Sequence, residues 1–317
     1  MLEFSKKEGE ELLHLASKNG QVYLIKNLLR AKVDINALNA EGLSSLHWAV
    51  INGNIEVTKL LIEKGANIEI KDSGCGSSPL LFACQNGRTK IVEILIENGT
   101  DINTKNSKGS NAIHFAAQSG KTEIVDFLLQ NGLEINMKDN DGESPLFYAM
   151  YYRHFPVMRE AIHAYEMVKF LIENGVNVDE ATVSNQTPLT FAIMKNLLDV
   201  VNLLVFFGAD VNHAKDSNGT LLQIATTWYC DTEIMKVLIA NGADVNAQHE
   251  INKTTSLHAA TGHFCSTEVC EIIRILFESG ANPELRQADG FTPFEIALRC
   301  RNYKFVKMNI GIQSQFC

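Results

Sequence analysis

The 317-residue chain is short of basic residues, proline and tryptophan: 28 Lys and Arg stand against 37 Asp and Glu, with six prolines and two tryptophans. The formal charge of -9 leaves no basic footprint, so nonspecific binding to nucleic acid or to an anionic membrane is not expected. The longer apolar stretches, such as 200–209, are interrupted and fall far below the length that spans a bilayer. Residues 1–11 carry charges and no apolar core, so no secretory signal is expected there. The seven cysteines are odd in number and without framework spacing, which fits reduced thiols in a cytoplasmic or nuclear protein. No Gly-x-Ser-x-Gly elbow and no His-Glu-x-x-His helix occurs, and no stretch is left over for a separate catalytic domain. The expectation is a protein that is not an enzyme and needs no cofactor.

What the chain does have is a repeat. Leu13, Leu46, Leu80, Ile113, Leu146, Leu189, Leu222, Leu257 and Phe294 follow one another at steps of 33, 34, 33, 33, 43, 33, 35 and 37 residues. A glycine closing each unit keeps the same period at Gly65, Gly99, Gly132, Gly175, Gly208, Gly242 and Gly280, with Lys32 in the equivalent place of the first unit. Two independent markers on one period define a repeat architecture, in which each unit buries its apolar face against its neighbours.

Each unit reads as turn, helix, tight loop, helix, turn. Ser78-Pro79, Ser144-Pro145, Thr187-Pro188 and Thr292-Pro293 place an N-cap before a proline at the first helical position, where the missing N–H costs nothing. A first helix of about eight residues should stop near Gly53, Gly87 or Gly120. The second carries apolar residues at helical spacing, such as Ile91, Ile94 and Leu95, or Ile124, Phe127 and Leu128.

These residues resemble the ankyrin repeat, G-x-T-P-L-H-x-A followed by a second helix and G-A-[DN]-[VI]-N. The match runs from about Leu12 to Met308 in nine units. The resemblance implies an all-α repeat solenoid of helix-turn-helix pairs with projecting β-hairpin or loop fingers, forming a single domain over 1–317. The units fall at about 8–40, 41–74, 75–107, 108–140, 141–183, 184–216, 217–251, 252–288 and 289–317. The fifth carries an insertion at 150–166, to be absorbed in the interhelical loop or in longer helices, with Pro156 marking a start or break. The eighth carries a smaller insertion, and the last is an incomplete cap.

His14, His47, His114 and His258 occupy the family's T-P-L-H slot, and the resemblance implies a structural imidazole that bonds neighbouring turns. His258, His263, Cys265 and Cys270 are chemically suited to zinc but lack a close Cys pair, and thiols on helices explain them without a metal. Ser73 to Ser78 is glycine-rich like a phosphate loop but lacks the following Lys and falls at a fingertip. Asn36, Asn103, Asn212 and Asn246 resemble the family's turn asparagines. Each follows a Leu by eight residues (Leu28, Leu95, Leu204, Leu238), as do sites hydroxylated in other ankyrin proteins.

Specificity is expected where the repeats differ. The two residues before each inner-helix glycine are mostly polar, but the middle of the chain places Tyr151, Tyr152, Met194, Lys195 and Trp228 there, with His263 in the eighth unit. Arg153 of the insertion adds positive charge beside them. Aromatic, Met and Arg side chains anchor interfaces. The reading is a monomeric protein–protein interaction module, an adaptor or scaffold, whose partner binds the concave face at repeats 5–7. The alternative is the recognition part of a larger ubiquitin-ligase, channel or enzyme assembly.

Overall fold

The computed structural model describes residues 5–151, 157–213, 219–228, 231–261, 267–300, 302 and 305–306, with the side chains of 157–163, 267 and 268 outside the description. The described residues form seventeen helices in two compact units, 1–176 and 177–317.

In the first unit the first helices are α1 (Lys6–Lys18), α3 (Ser45–Ile51), α5 (Pro79–Gln85), α7 (Ala112–Ser119) and α9 (Pro145–Ala149). The second helices are α2 (Val22–Arg30), α4 (Ile55–Glu63), α6 (Thr89–Glu97), α8 (Thr122–Gln130) and α10 (Val157–Glu173). First helices pack on first helices along the series α1, α3, α5, α7, α9, and α2, α4, α6 and α8 pack in parallel with them. The second unit repeats the arrangement with α11 (Pro188–Met194), α13 (Leu221–Thr227), α15 (Ser256–Thr261) and α17 (Pro293–Arg299) in one layer. Its other layer is α12 (Leu198–Phe206), α14 (Thr232–Ala240) and α16 (Thr267–Glu278). The Leu and Ile of the repeat marker lie in the core, with Leu46, Leu80, Ile113, Leu146, Leu189, Leu222 and Leu257 at most 1% exposed.

The fingers are loops rather than paired strands. An antiparallel bridge joins Leu38 and Ser44 in the first finger. Fingers one to four are nevertheless joined in a row by backbone bonds: Ser73 N–H donates to the Gly42 carbonyl at 3.3 Å, Ser107 to Cys75 at 2.9 Å and Asn140 to Lys108 at 2.9 Å. At the finger bases, asparagine amides reach the backbone of the next repeat. Asn212 accepts from Asp244 N–H at 2.9 Å and donates to the Gly242 carbonyl at 2.8 Å, and Asn246 does the same to Asn282 and Gly280. Asn36 accepts from Asn67 N–H at 2.8 Å.

The fifth unit absorbs its extra length partly in helix. α10 runs 17 residues against nine for α4, α6 and α8, and starts at Val157, directly after Pro156 in sequence. α9 is the shortest first helix, at five residues. Most of the second helix of the last unit lies outside the described residues.

The cap pairs split by chemistry. Thr187 and Thr292 accept from the N–H groups of Thr190 and Glu295. Ser78 and Ser144 occupy the cap position without such a bond, and both hydroxyls are buried without a partner. Ser78→Ala removes an unpaired buried hydroxyl and should therefore stabilise by about 1 kcal/mol, whereas Thr187→Ala should cost about 1 kcal/mol, both read by urea denaturation.

The closing glycines all have positive φ, from 84° at Gly65 to 91° at Gly175, and Lys32 adopts the same left-handed conformation with φ 63°. A side chain there is strained by about 1–2 kcal/mol. Lys32→Gly should stabilise the first unit by about 0.5–1 kcal/mol after glycine's larger unfolded-state entropy is subtracted. A fall in melting temperature on that substitution would contradict the assignment.

Candidate protein-interaction site

The histidine slot decides how the first helices are held. In His114, Nδ1 accepts from Asn111 N–H at 3.3 Å and Nε2 donates to the Glu143 carbonyl of the next repeat at 3.1 Å. In His258, Nδ1 accepts from Thr255 N–H and Nε2 donates to the Phe291 carbonyl, each at 3.1 Å. The backbone N–H fixes the neutral tautomer with hydrogen on Nε2, which makes the ring a bridge between repeats. His47 keeps the Nδ1 half, with its Nε2 buried and unpartnered. His14 keeps the Nε2 half, bonded to the Ala37 carbonyl at 2.8 Å. Gln223 fills the slot with an amide of the same polarity: Oε1 accepts from Thr220 N–H at 3.0 Å and Nε2 donates to the Thr254 carbonyl. These are structural contacts, as the family resemblance implies.

Leu81 and Phe147 stand in the same slot and cannot bond. They are the two repeats whose cap hydroxyls, Ser78 and Ser144, are orphaned. With no imidazole or amide at the third helical position, the serine has nothing to face.

No group of three or more His, Cys, Asp or Glu side chains among the described residues is placed to hold a metal ion. His263 and Cys265 lie outside the described residues. The glycine-rich segment after Lys71 is a fingertip turned around Asp72, whose carboxylate accepts from Gly74 and Cys75 N–H at 2.9 and 3.1 Å, and from Ser77 N–H.

Of the residues expected to meet a partner, Tyr152, Arg153 and His263 lie outside the described residues. Tyr151, in the first unit, follows α9 half-buried. Its ring meets Tyr148 edge-on with centroids 5.7 Å apart, and its hydroxyl donates to the Glu143 carboxylate. Burial raises the Glu143 carboxyl above its ordinary value despite that hydrogen bond. In the second unit, Met194 ends α11 half-buried and Lys195 caps it, its ammonium 5.4 Å from the centre of the Phe191 ring. Trp228 caps the adjacent α13 and is 54% exposed. Met194, Lys195 and Trp228 thus occupy corresponding ends of packed neighbouring helices.

One exposed feature escapes a scan of the inner-helix positions. Phe206 and Phe207 end α12, 82% and 38% exposed, in an edge-on pair with centroids 5.3 Å apart. Other units place Glu97-Asn98, Gln130-Asn131 or Glu173-Asn174 before the closing glycine, so comparison of that slot between units reveals the pair.

Two layers of short stacked helices, tethered by slot histidines and base asparagines, define a helix-pair repeat protein. The family model for ankyrin repeats (3 copies) matches residues 13–106, 80–164, 155–216 and 221–310, and the chain belongs to the ankyrin repeat family. Ankyrin repeat and SOCS box protein 6 of Homo sapiens is 36% identical over 105 residues, which is 32% of this chain and 25% of that protein. In other curated relatives the aligned stretch is as little as 3% of the relative's length. Among solved structures, the ankyrin repeat domain of Bcl-3 is similar at 27% identity and TM-score 0.55, over 71% of this chain and 96% of that one. The human ASB11 ankyrin repeat domain is similar at 25% identity and TM-score 0.59, over 73% and 98%. Ankyrin repeat domains bind other proteins, and the fold is a scaffold for interaction. No helix among the described residues is long and apolar enough to cross a membrane.

Burial pushes His47 and His114 down from the ordinary 6.5 to about 4, so both stay neutral in the folded protein while the unfolded chain takes up protons near 6.5. Their contribution is complete above 6.5 and is lost as pH falls from there toward 4, at about 1.4 kcal/mol per pH unit for each ring. The melting temperature should fall between pH 7 and pH 5. His47→Gln with His114→Gln should flatten that fall, because glutamine makes the same bonds at Gln223 without titrating.

Proposed function

We propose that the chain is a non-enzymatic adaptor or scaffold that binds another protein through the first-helix ends of repeats 5–7, acting in the cytoplasm or nucleus as a monomer and without a cofactor. The observation that carries it is Trp228. An indole 54% exposed at the end of α13, a helix packed beside the α11 that ends in Met194 and Lys195, offers a large apolar surface to a partner. Aromatic anchors of this kind dominate binding energy when a partner desolvates them. Tyr151 is held for presentation by Glu143 and Tyr148. The net charge of -9 speaks against nucleic acid and anionic membrane as the ligand.

A second reading, the recognition part of a larger assembly such as a ubiquitin ligase, is supported by the relative whose name joins ankyrin repeats to a SOCS box.

Affinity capture from source cells with wild-type protein and with Trp228→Ala should separate true partners from background. A partner of this surface should bind the variant at least roughly thirtyfold more weakly, the equivalent of about 2 kcal/mol, with the circular dichroism melt unchanged. Undiminished binding of every captured protein would exclude Trp228 as the anchor. Ligase subunits in the captured set would favour the second reading.

A further inference from the structure

The helices of this chain repeatedly close on one dipeptide. Asn-Gly occurs eight times. Asn19, Asn52 and Asn86 follow first helices, and Asn98, Asn131, Asn174 and Asn241 follow second helices. The eighth, Asn218, lies outside the described residues. The fold accounts for the pair. The glycine takes the left-handed conformation that closes a helix, with φ between 63° at Gly87 and 91° at Gly175, and the asparagine amide can reach back to a helix carbonyl.

Asn-Gly is also the dipeptide in which an asparagine side chain is most open to attack by its own main chain. The nitrogen of the following residue bonds to Cγ, the Cγ–Nδ2 bond breaks, and the proton of that nitrogen leaves with Nδ2 as ammonia. Water then opens the cyclic imide at either carbonyl, giving aspartate or isoaspartate. A glycine on the attacking side has no Cβ to hinder ring closure.

Six of the seven described pairs are held against this reaction at both reacting groups. The Asn52 amide donates to the Trp48 carbonyl at 2.9 Å, and the Gly53 N–H donates to the Val50 carbonyl at 3.0 Å. The same two bonds recur at Asn86 with 2.8 and 3.1 Å, and at Asn98 with 2.7 and 3.0 Å. Asn131, Asn174 and Asn241 repeat them at 2.8 Å for the side chain and 2.9–3.0 Å for the glycine. Asn19-Gly20 has neither. Among the described residues, the Asn19 side chain and the Gly20 N–H have no hydrogen-bond partner.

Asn54 accounts for the difference at Gly20. Val50, the acceptor for Gly53, corresponds to Ser17 in α1, and the Ser17 carbonyl accepts instead from Asn54 Nδ2 at 2.8 Å. The same side chain lies against Gly20, its Oδ1 3.1 Å from where a Cβ would stand. Backbone conformation does not single Asn19 out. Its ψ is 3°, within the range of -4° to 18° at Asn52, Asn86, Asn98, Asn131 and Asn241. From that shared conformation ψ must rotate to bring the glycine nitrogen against Cγ, so the reaction proceeds through local opening. Opening is easier where fewer bonds break, and Asn19 is exposed as well.

We propose that Asn19-Gly20 is a self-modifying site, the described Asn-Gly pair at which the folded chain converts asparagine to aspartate and isoaspartate fastest. The product changes the junction of the first two repeats. Either outcome places a carboxylate at the carbonyl end of α1, where the helix dipole opposes it. Isoaspartate also lengthens the main chain by one methylene between α1 and α2, beside the Asn54 amide that bonds the Ser17 and Lys18 carbonyls.

The test is ageing of the full chain in neutral buffer at body temperature, with a parallel sample in urea. Peptide mass spectrometry follows deamidation at each pair, and methyl transfer by an isoaspartyl methyltransferase reads the isoaspartate. In the folded protein Asn19 should react at least roughly tenfold faster than Asn52 and Asn86, the effect of two hydrogen bonds. In urea, where those bonds are gone, the three should react at similar rates. Aged wild type should melt below its own fresh sample. N19Q, whose longer side chain closes a ring far more slowly, should lose less of its melting temperature over the same time. The proposal is overturned if Asn19 reacts no faster than Asn52 and Asn86 in the folded chain, if its lead persists undiminished in urea, or if aged N19Q loses as much melting temperature as aged wild type.

Discussion

The constraint on which the structure rests is that no repeat can satisfy its own backbone. A first helix of seven residues has four N–H groups at one end and four carbonyls at the other without intrahelical partners, so its ends outnumber its interior. Such a helix is far too short to persist alone. The neighbouring repeat supplies the missing partners. Asn54 donates to the Ser17 and Lys18 carbonyls that end α1, and Arg88 donates twice to the Ile51 carbonyl that ends α3. His114 and His258 reach forward to the next repeat while bonding their own cap. Packing and polar satisfaction thus act in one direction, along the stack, and stability comes from interfaces between units.

This explains what happens where a slot is vacated. Leu81 and Phe147 are 1% and 0% exposed, so each repeat exchanges a bridging polar side chain for buried apolar area. Burying such a side chain is worth about 1.5–3 kcal/mol. An unpaired buried hydroxyl costs about 1–3 kcal/mol, so the exchange comes out near even at Ser78 and Ser144. In the ninth repeat the slot changes again. Glu295 accepts from Thr292 N–H at 2.9 Å, keeping the cap half of the histidine's role, and its carboxylate meets Arg286 at 3.3 Å.

Much of this was legible in the sequence because the physics recurs with the period. The leucine and glycine markers located the eight pairs whose two helices are both described, and Lys32, which the repeat aligns with the closing glycines, shares their positive φ. The turn asparagines were legible as structural, but their partners were not: the amides bond the following repeat rather than their own turn. The Ser-Pro and Thr-Pro caps looked equivalent because a one-dimensional motif does not show what faces the hydroxyl. At the candidate site, the outward slot of Trp228 was legible from register alone. The half-burial of Tyr151 was not, since it depends on Glu143, eight residues away across the finger.

The same logic separates residues that hold the fold from residues left to act. Lys71 and Asp72 are adjacent, both charged, and near a fingertip. The carboxylate is consumed by three backbone N–H groups of the turn, which any tight turn must satisfy somewhere. The ammonium has no turn group to serve and extends across to the next finger. The pair recurs as Lys138 and Asp139, and as Lys105 with the uncharged Asn106, so the period assigns the inward slot to structure. A surface charge in a repeat protein is therefore informative only after its inward neighbour has been accounted for.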